Sequence, residues 1–240
     1  THAAVYDSVN ALARTHEPLY VDALAHPRAS REAAAAAAAH RSLVALFPAP
    51  AQVAAFDAKL AESLAAIPDG KAEDNGVALG RFVADQILAM RQNDGSVNTL
   101  PAYPGSTEPG KWRPTTAGQF GREPHWGGVT PFALARGDQF RPAAPPAVTD
   151  AEYTAAFEEV KALGGNDATG HGRTADQTAI ALFWNNGAGT ATPPGHLSLM
   201  ARIVAEQRGA TLEEDARLFA ALNVAMADAG FTCWETKYDD

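Results

Sequence analysis

A run of seven alanines, Ala33 to Ala39, constrains the fold more than any other feature, and it lies between Ser30 and Pro48. Alanine is the strongest helix former, serine caps helix N-termini well, and proline has no backbone N–H with which to continue a helix. These signals predict a helix that begins after Ser30 and ends at Phe47. The run is also far shorter than the roughly 20 apolar residues that cross a bilayer, so we expect no membrane span.

Similar signals predict further helices on both sides of this one. Two Thr–Glu pairs have the spacing of a capping box, in which each side chain bonds the other residue's backbone N–H; they are Thr149 with Glu152 and Thr211 with Glu214. No segment shows the sustained period-two alternation of β-branched residues that indicates a sheet. We therefore expect an all-α, multi-helix bundle. The other predicted helices cover residues 1–12, 50–67, 77–90, 149–163, 174–184, 194–207 and 211–226.

The stretch from Gly95 to Val148 has a different character. It holds nine of the sixteen prolines, and each proline removes a backbone donor and disfavours helix at the preceding residue. Five aromatic residues lie between positions 103 and 132 of this stretch, and a flexible linker seldom contains so much apolar surface. We expect a long, irregular, Pro-rich segment packed across the helices. The five aromatic residues are Tyr103, Trp112, Phe120, Trp126 and Phe132.

The predicted organisation is one helical domain over residues 1–240. It consists of N-terminal helices at 1–94, the Pro-, Gly- and aromatic-rich loop region at 95–148, and C-terminal helices at 149–240. No capping residue precedes the first helical pattern and no glycine cap follows the last. We therefore interpret the chain as a segment of a longer protein, truncated at both ends.

Composition argues against several kinds of site. Nineteen basic and 28 acidic residues give a net charge of −9, which disfavours nucleic acid as a partner. No two of the seven histidines are three or four residues apart, so we expect no directly coordinated metal. The glycine-rich stretch 164–172 lacks the Gly-Lys-Ser/Thr of a nucleotide loop and is interpreted as a connection between helices. The single cysteine, Cys233, is expected to be a small buried hydrophobic residue, with a redox or thiol role as an alternative.

Three aspartates, Asp7, Asp176 and Asp228, interrupt otherwise apolar helical patterns. An ionised carboxylate inside a core needs hydrogen-bonding partners or it costs several kcal/mol. Arg173 and Gln177 place further polar side chains on the turn that follows the glycine-rich stretch. We predict that these five residues belong to a structural polar network, in which the turn from Arg173 to Thr178 ties the glycine-rich stretch to the bundle.

Four stretches, in this order along the chain, resemble the bacterial vanadium-dependent haloperoxidase family, which belongs with the type 2 phosphatidic acid phosphatases. Together they extend over nearly the whole sequence. The first is His2-Ala-Ala-Val-Tyr-Asp-Ser-Val-Asn10, the second is Pro109-Gly-Lys-Trp-Arg-Pro-Thr115, the third is Arg173-Thr-Ala-Asp-Gln-Thr178 with Ala181-Leu-Phe-Trp184, and the fourth runs from Ala216-Arg-Leu-Phe-Ala220 through Ala227-Asp-Ala229 to Trp234-Glu-Thr-Lys-Tyr238.

The resemblance implies an oxyanion site. In that family the site residues come from a Lys-x6-Arg-Pro segment, a Pro-Ser-Gly-His segment and a final Arg and His. Only the opening lysine of the first segment has a counterpart here, and it is Lys237. The sequence Lys111-Trp112-Arg113-Pro114 has one residue where the motif has six, and we interpret it as a loop anchor. The resemblance thus implies that Lys237 binds vanadate or phosphate oxygens. The alternative is an exposed lysine on a last helical turn, where the helix dipole favours a cation.

The function that the resemblance implies is the N-terminal helical part of a haloperoxidase-like protein, in which vanadate-bound peroxide oxidises a halide. Most of the anion site would lie beyond Asp240, in the remainder of the polypeptide or in a second chain, so this segment alone is expected to be inactive and not to retain vanadate. Two alternatives stay open: a related acid phosphatase acting on phosphate esters, and a non-catalytic helical interaction module that forms homo-oligomers. Analogy with the family favours export to the periplasm or the cell exterior.

Overall fold

The computed structural model describes residues 1–166 and 168–239. Over these residues it contains α-helices and two 3-10 turns, at Trp126–Gly128 and Gly137–Phe140, and no sheet. The predicted all-α fold class is confirmed, and so is the absence of a long helix between Gly95 and Val148. The helices are α1 His2–Ala13, α2 Arg31–Leu46, α3 Pro50–Ala65, α4 Lys71–Met90, α5 Ala151–Leu163, α6 Ala175–Trp184, α7 Thr192–Arg208 and α8 Leu212–Asp239.

Local capping chemistry sets several helix starts. The Ser30 hydroxyl accepts a hydrogen bond from the Ala33 N–H at 3.1 Å, as predicted for the start of α2. A capping box joins Thr211 and Glu214, with the Glu214 carboxylate accepting from the Thr211 N–H at 2.8 Å and the Thr211 hydroxyl accepting from the Glu214 N–H at 3.3 Å. The predicted helix beginning at residue 211 is therefore confirmed.

The predicted capping box of Thr149 and Glu152 is wrong. Helix α5 begins one residue later than that box requires, at Ala151, and Asp150 occupies the N-cap position. The Asp150 carboxylate accepts a hydrogen bond from the Ala147 N–H at 3.0 Å, so it closes the turn before the helix. Aspartate is at least as good an N-cap as threonine. The turn that precedes the helix therefore determines that Asp150, and not Thr149, takes the N-cap position.

Two compact units make up the chain. The first contains Thr1–Asp94 and Ser198–Ala227, and the second contains Gly95–Leu197 and the residues from Asp228 onward. Helices α7 and α8 each contribute to both units. The single-domain organisation proposed from the sequence stays a prediction.

The core of the first unit is built around α2. Its alanines Ala33, Ala34, Ala37 and Ala38 are completely buried, and the helix packs against α1, α3 and α4. A Cβ atom added at Gly80 of α4 would lie 2.2 Å from the carbonyl oxygen of Ala34, so only glycine fits there. Small residues on both helices therefore allow their backbones to approach closely.

Asp7 of α1 anchors an irregular segment in the same unit. Its carboxylate is 1% exposed and accepts hydrogen bonds from the N–H groups of Leu19 at 2.7 Å and of Tyr20 and Val21 at 3.0 Å. Burial raises the pKa of this carboxyl group, and the three hydrogen bonds oppose that rise. The carboxylate thus has the partners that its position in an apolar pattern requires.

Among residues 1–166 and 168–239, no helix is long and apolar enough to cross a membrane. The same residues contain no cluster of three or more His, Cys, Asp and Glu side chains able to hold a metal ion.

Candidate anion site

The last turns of α8 place Lys237 between two aromatic residues. Trp234, Lys237 and Tyr238 are three and four residues apart, so they share one helix face. The indole Nε1–H of Trp234 and the hydroxyl of Tyr238 both donate to the carbonyl oxygen of Arg122, at 3.0 and 2.7 Å. Because two donors share one acceptor, the loop at Arg122 is fixed against the end of α8.

The Lys237 ammonium group is exposed and lies over both of these rings. Its Nζ is 5.0 Å from the centroid of the Trp234 ring and 5.8 Å from that of Tyr238, within the range of cation–π attraction. In the part of the chain that the structure describes, no carboxylate forms an ion pair with it. The ammonium charge is therefore held in place by rings and is not neutralised by the residues described.

Arg141 forms ion pairs with Glu235 and Asp239, the two carboxylates nearest to Lys237 in sequence. Its Nε donates to Glu235 at 2.9 Å, a second nitrogen donates to the same carboxylate, and a third donates to Asp239. This two-pronged contact with Glu235 is the strong geometry for an arginine–carboxylate pair. Glu235 and Asp239 thus have a cationic partner of their own, which leaves the charge of Lys237 available to an external anion.

A cavity of about 680 Å³ adjoins these residues, and we call it the α8 cavity. Three basic side chains line it, and no Asp or Glu is among the described residues of its lining. Aromatic side chains form much of the remaining wall. The basic residues are Lys111, Arg122 and Lys237, and the aromatic residues are Tyr103, Trp112, Phe120 and Tyr238.

Short-range contacts hold the wall of the α8 cavity together. Gly121 N–H donates to the carbonyl oxygen of Tyr103 at 2.8 Å, and the Tyr103 ring lies 5.4 Å from the Tyr238 ring in an edge-to-face arrangement and 5.9 Å from the Trp112 ring. A Cβ atom on Gly121 would come within 2.7 Å of the Tyr238 hydroxyl oxygen, so a larger residue there would displace that ring. Burial, with smaller contributions from Tyr103 and Glu123, raises the pKa of Tyr238, which keeps its hydroxyl protonated as a donor.

Asp228 fixes the irregular segment nearby in the same unit. It is 4% exposed and accepts hydrogen bonds from the N–H groups of Phe132, Ala133 and Leu134 at 2.6, 2.7 and 2.9 Å. The arrangement repeats that of Asp7, with a carboxylate inside a helix accepting from three consecutive N–H groups of an irregular segment. The irregular segment is thereby joined to α8, as its aromatic content predicted.

The other residues predicted to form polar networks make local contacts. Arg173 donates to the carbonyl oxygens of Leu163 and Gly165, at 2.6 and 2.9 Å, and so braces the glycine-rich turn. Gln177 forms the capping box of α6 with Thr174. These contacts are local, and Asp7 and Asp228 have their own partners.

The prediction that Asp176 lies inside an apolar core is wrong. It is exposed in the first turn of α6 and does not lie in a core. An acidic side chain is favourable there because it faces the positive end of the helix dipole, so it needs no buried partner. Cys233 is likewise exposed, and the expectation that it is a buried hydrophobic residue is wrong.

Sequence reasoning missed two of the basic residues of the α8 cavity. The loop-anchor interpretation describes Arg113, which donates to the carbonyl oxygen of Thr107 at 2.9 Å, but Lys111 lines the cavity together with Lys237. No local sequence pattern indicated Arg122, because its partners Trp234 and Tyr238 are 112 and 116 positions away. Only the folded arrangement brings these three cations to one cavity.

Comparison with known proteins gives one similar solved structure, described as the first bacterial vanadium-dependent iodoperoxidase. The identity is 27%, the TM-score is 0.82, and the match covers 99% of this chain and 61% of the other. The chain therefore spans about three-fifths of the length of that protein. No family model and no curated protein matches the chain. The resemblance to bacterial vanadium haloperoxidases predicted from the sequence is confirmed.

Proposed function

We propose that this chain is the helical part of a vanadium-dependent haloperoxidase in which Lys237 contributes to binding of the oxyanion. The observation that carries the proposal is the exposed Lys237 ammonium, which lies over Trp234 and Tyr238 while Arg141 pairs with the neighbouring carboxylates. The fold match to a vanadium-dependent iodoperoxidase supports the haloperoxidase-like kind of activity. Iodide is accordingly the first halide to test.

The residues present fit an oxyanion in the chemistry of their donors. Lys237 lines the α8 cavity and is a cation that binds oxyanions through charge-assisted hydrogen bonds. Vanadate, when bound, supplies a Lewis-acidic centre that activates peroxide toward halide oxidation. Lys237 would neutralise part of the negative charge of the oxyanion, and the two rings that flank it would hold its side chain in one orientation.

One lysine is not sufficient for this task. A single pair of opposite charges at about 4 Å contributes only about 1 kcal/mol in water, so tight binding needs several converging donors. We propose that the remaining donors come from a further part of the polypeptide or from a second chain. The exposed apolar side chains of α5 and α6, such as Val160 and the 72% exposed Leu182, support such a packing partner.

The test is vanadate binding by isothermal titration calorimetry on the complete polypeptide. We expect Lys237→Ala to weaken binding by about tenfold or more, since it leaves an anion without one of its charged partners, and Lys237→Arg to restore part of the affinity. Lys59→Ala is the matched control, because Lys59 is an exposed helical lysine paired with Glu62. Unchanged vanadate affinity in Lys237→Ala would contradict the assignment.

Acid phosphatase activity is the alternative that uses the same cation. Steady-state assays of iodide oxidation with peroxide, and of p-nitrophenyl phosphate hydrolysis without vanadate, separate the two activities on one protein sample. Haloperoxidase function predicts vanadate-dependent iodide oxidation. Hydrolysis that vanadate inhibits, without iodide oxidation, would instead establish the phosphatase.

A further inference from the structure

We propose that the α8 cavity binds an aromatic organic anion, with the ring against Tyr103 and Trp112 and the anionic group at Arg122. The identification of this anion as the organic substrate rests on the proposed function, in which peroxide takes two electrons from iodide and is reduced to water, and the oxidised iodine replaces a hydrogen of the aromatic ring, which leaves as a proton. Binding of the anion itself rests only on the cavity, all of whose described lining belongs to the second unit.

The size of the cavity fits a small organic molecule. Its volume of about 680 Å³ is much larger than an inorganic oxyanion requires. Pockets for small organic ligands typically have volumes of roughly 300–1,000 Å³ and are mostly apolar with a few well-placed polar groups. Pro145 and Pro146 form part of the wall, and their fixed backbone angles reduce the conformational freedom lost on binding.

The charge of the cavity selects an anion. The whole chain carries a net charge of −9, yet the cavity is lined by three basic residues and by no Asp or Glu among the residues described. The backbone of Arg122 is fixed because its carbonyl oxygen accepts hydrogen bonds from Trp234 and Tyr238, while its side chain is exposed and makes no ion pair with a described residue. A guanidinium group held at its base in this way suits bidentate binding of a carboxylate.

The rings of the cavity favour an aromatic body for that anion. Trp112 is 45% exposed and Phe120 is 53% exposed, although large apolar rings are usually buried. Trp112 already lies 5.9 Å from Tyr103, in the range of favourable ring pairs, and its exposed surface leaves room for a further ring. An aromatic carboxylate would cover these rings and place its charge near the basic residues of the same wall.

The experiment measures binding of 2-naphthoate and of its neutral counterpart 2-naphthamide to the complete polypeptide without vanadate, by calorimetry. We expect naphthoate to bind about tenfold more tightly than naphthamide, because only naphthoate carries the charge. Arg122→Gln should remove most of this preference, and Trp112→Leu should weaken both ligands alike. Arg81→Gln is the control, since Arg81 is an exposed arginine of α4 outside the cavity.

The comparison of the two ligands uses the unaltered protein, so it does not depend on whether a variant folds. Equal affinities, no binding of either ligand, or a preference unchanged in Arg122→Gln would overturn the proposal. Vanadate binding is measured separately on the same preparation. Vanadate binding without naphthoate binding rejects the organic-anion site alone, whereas naphthoate binding without vanadate binding supports that site and rejects the proposed function.

Discussion

Replacement of Asp228 by asparagine should remove the main attachment between the irregular segment and α8. The Phe132 N–H donates to one carboxylate oxygen, and the Ala133 and Leu134 N–H groups donate to the other. Asparagine keeps one oxygen, so its best orientation retains two weaker, uncharged hydrogen bonds and turns its NH2 group toward the Phe132 N–H. Hydrogen bonds to charged groups contribute about 1.5–3 kcal/mol, and an unsatisfied buried N–H costs about 1–3 kcal/mol. We therefore expect Asp228→Asn to lower the free energy of unfolding by about 3–4 kcal/mol.

Urea unfolding followed by tryptophan fluorescence measures this change in the appropriate part of the molecule. The four tryptophans are Trp112, Trp126, Trp184 and Trp234, and all belong to the second unit, so their emission reports its unfolding. Asp176→Asn is the matched control, because Asp176 is exposed and loses at most the roughly 0.3–1 kcal/mol of its interaction with the helix dipole. Unfolding free energies within about 1 kcal/mol of each other for the two variants would refute the anchoring role of Asp228.

Three further predictions concern other contacts. The hydrogen bond from Tyr238 to Arg122 should make Tyr238→Phe about 1 kcal/mol less stable near pH 8. Because the pKa of Tyr238 is raised in the folded protein, this difference should be fully present below about pH 10 and should shrink as the pH rises from there through the raised pKa, as measured by urea unfolding at a series of pH values. Gly80→Ala should destabilise the first unit by about 1–3 kcal/mol despite the better helix propensity of alanine, because its Cβ atom would meet the carbonyl oxygen of Ala34; an unchanged Tm would contradict this. The pKa of Asp7 is raised, so the native state binds more protons than the unfolded state at pH values between the native and unfolded pKa. The free energy of unfolding therefore falls as the pH rises through that window. The difference in this free energy between the unaltered chain and Asp7→Asn should shrink from about pH 4 upward, as measured by urea unfolding at a series of pH values.

The sequence predicted helix positions well where local chemistry decides them. Ser30, the proline at position 50 and the Thr211–Glu214 pair act within a few residues of the helix start that they define, so the observed starts of α2, α3 and α8 follow from them. The start of α5 was wrong by one residue because Thr149 and Asp150 are both good caps. The contact that distinguishes them, from Ala147 N–H to the Asp150 carboxylate, depends on the shape of the preceding turn.

The candidate site was less accessible to sequence reasoning because its contacts are distant along the chain. Lys237 was found through a family resemblance, and its relation to Arg122 depends on hydrogen bonds between residues more than 100 positions apart. A Pro-rich segment has no periodicity from which its path can be read. Composition predicts that such a segment packs on the protein, but not which of its charges face a cavity.

The two buried aspartates indicate how the charge of Lys237 stays available. The pattern of an acid among apolar helical residues occurs at Asp7, Asp176 and Asp228, but only Asp7 and Asp228 hold three consecutive N–H groups of an irregular segment, and only these two are buried. An irregular segment cannot satisfy its own backbone donors, so a helical carboxylate stabilises it in one position. At Asp228 the segment so held continues to Arg141, which pairs with Glu235 and Asp239 on either side of Lys237. The buried carboxylate thus holds the segment that leads to Arg141, and Arg141 gives both neighbouring acids a cationic partner. Asp228→Asn should therefore weaken the vanadate binding proposed for Lys237, as measured by calorimetry, without any change to Lys237 itself.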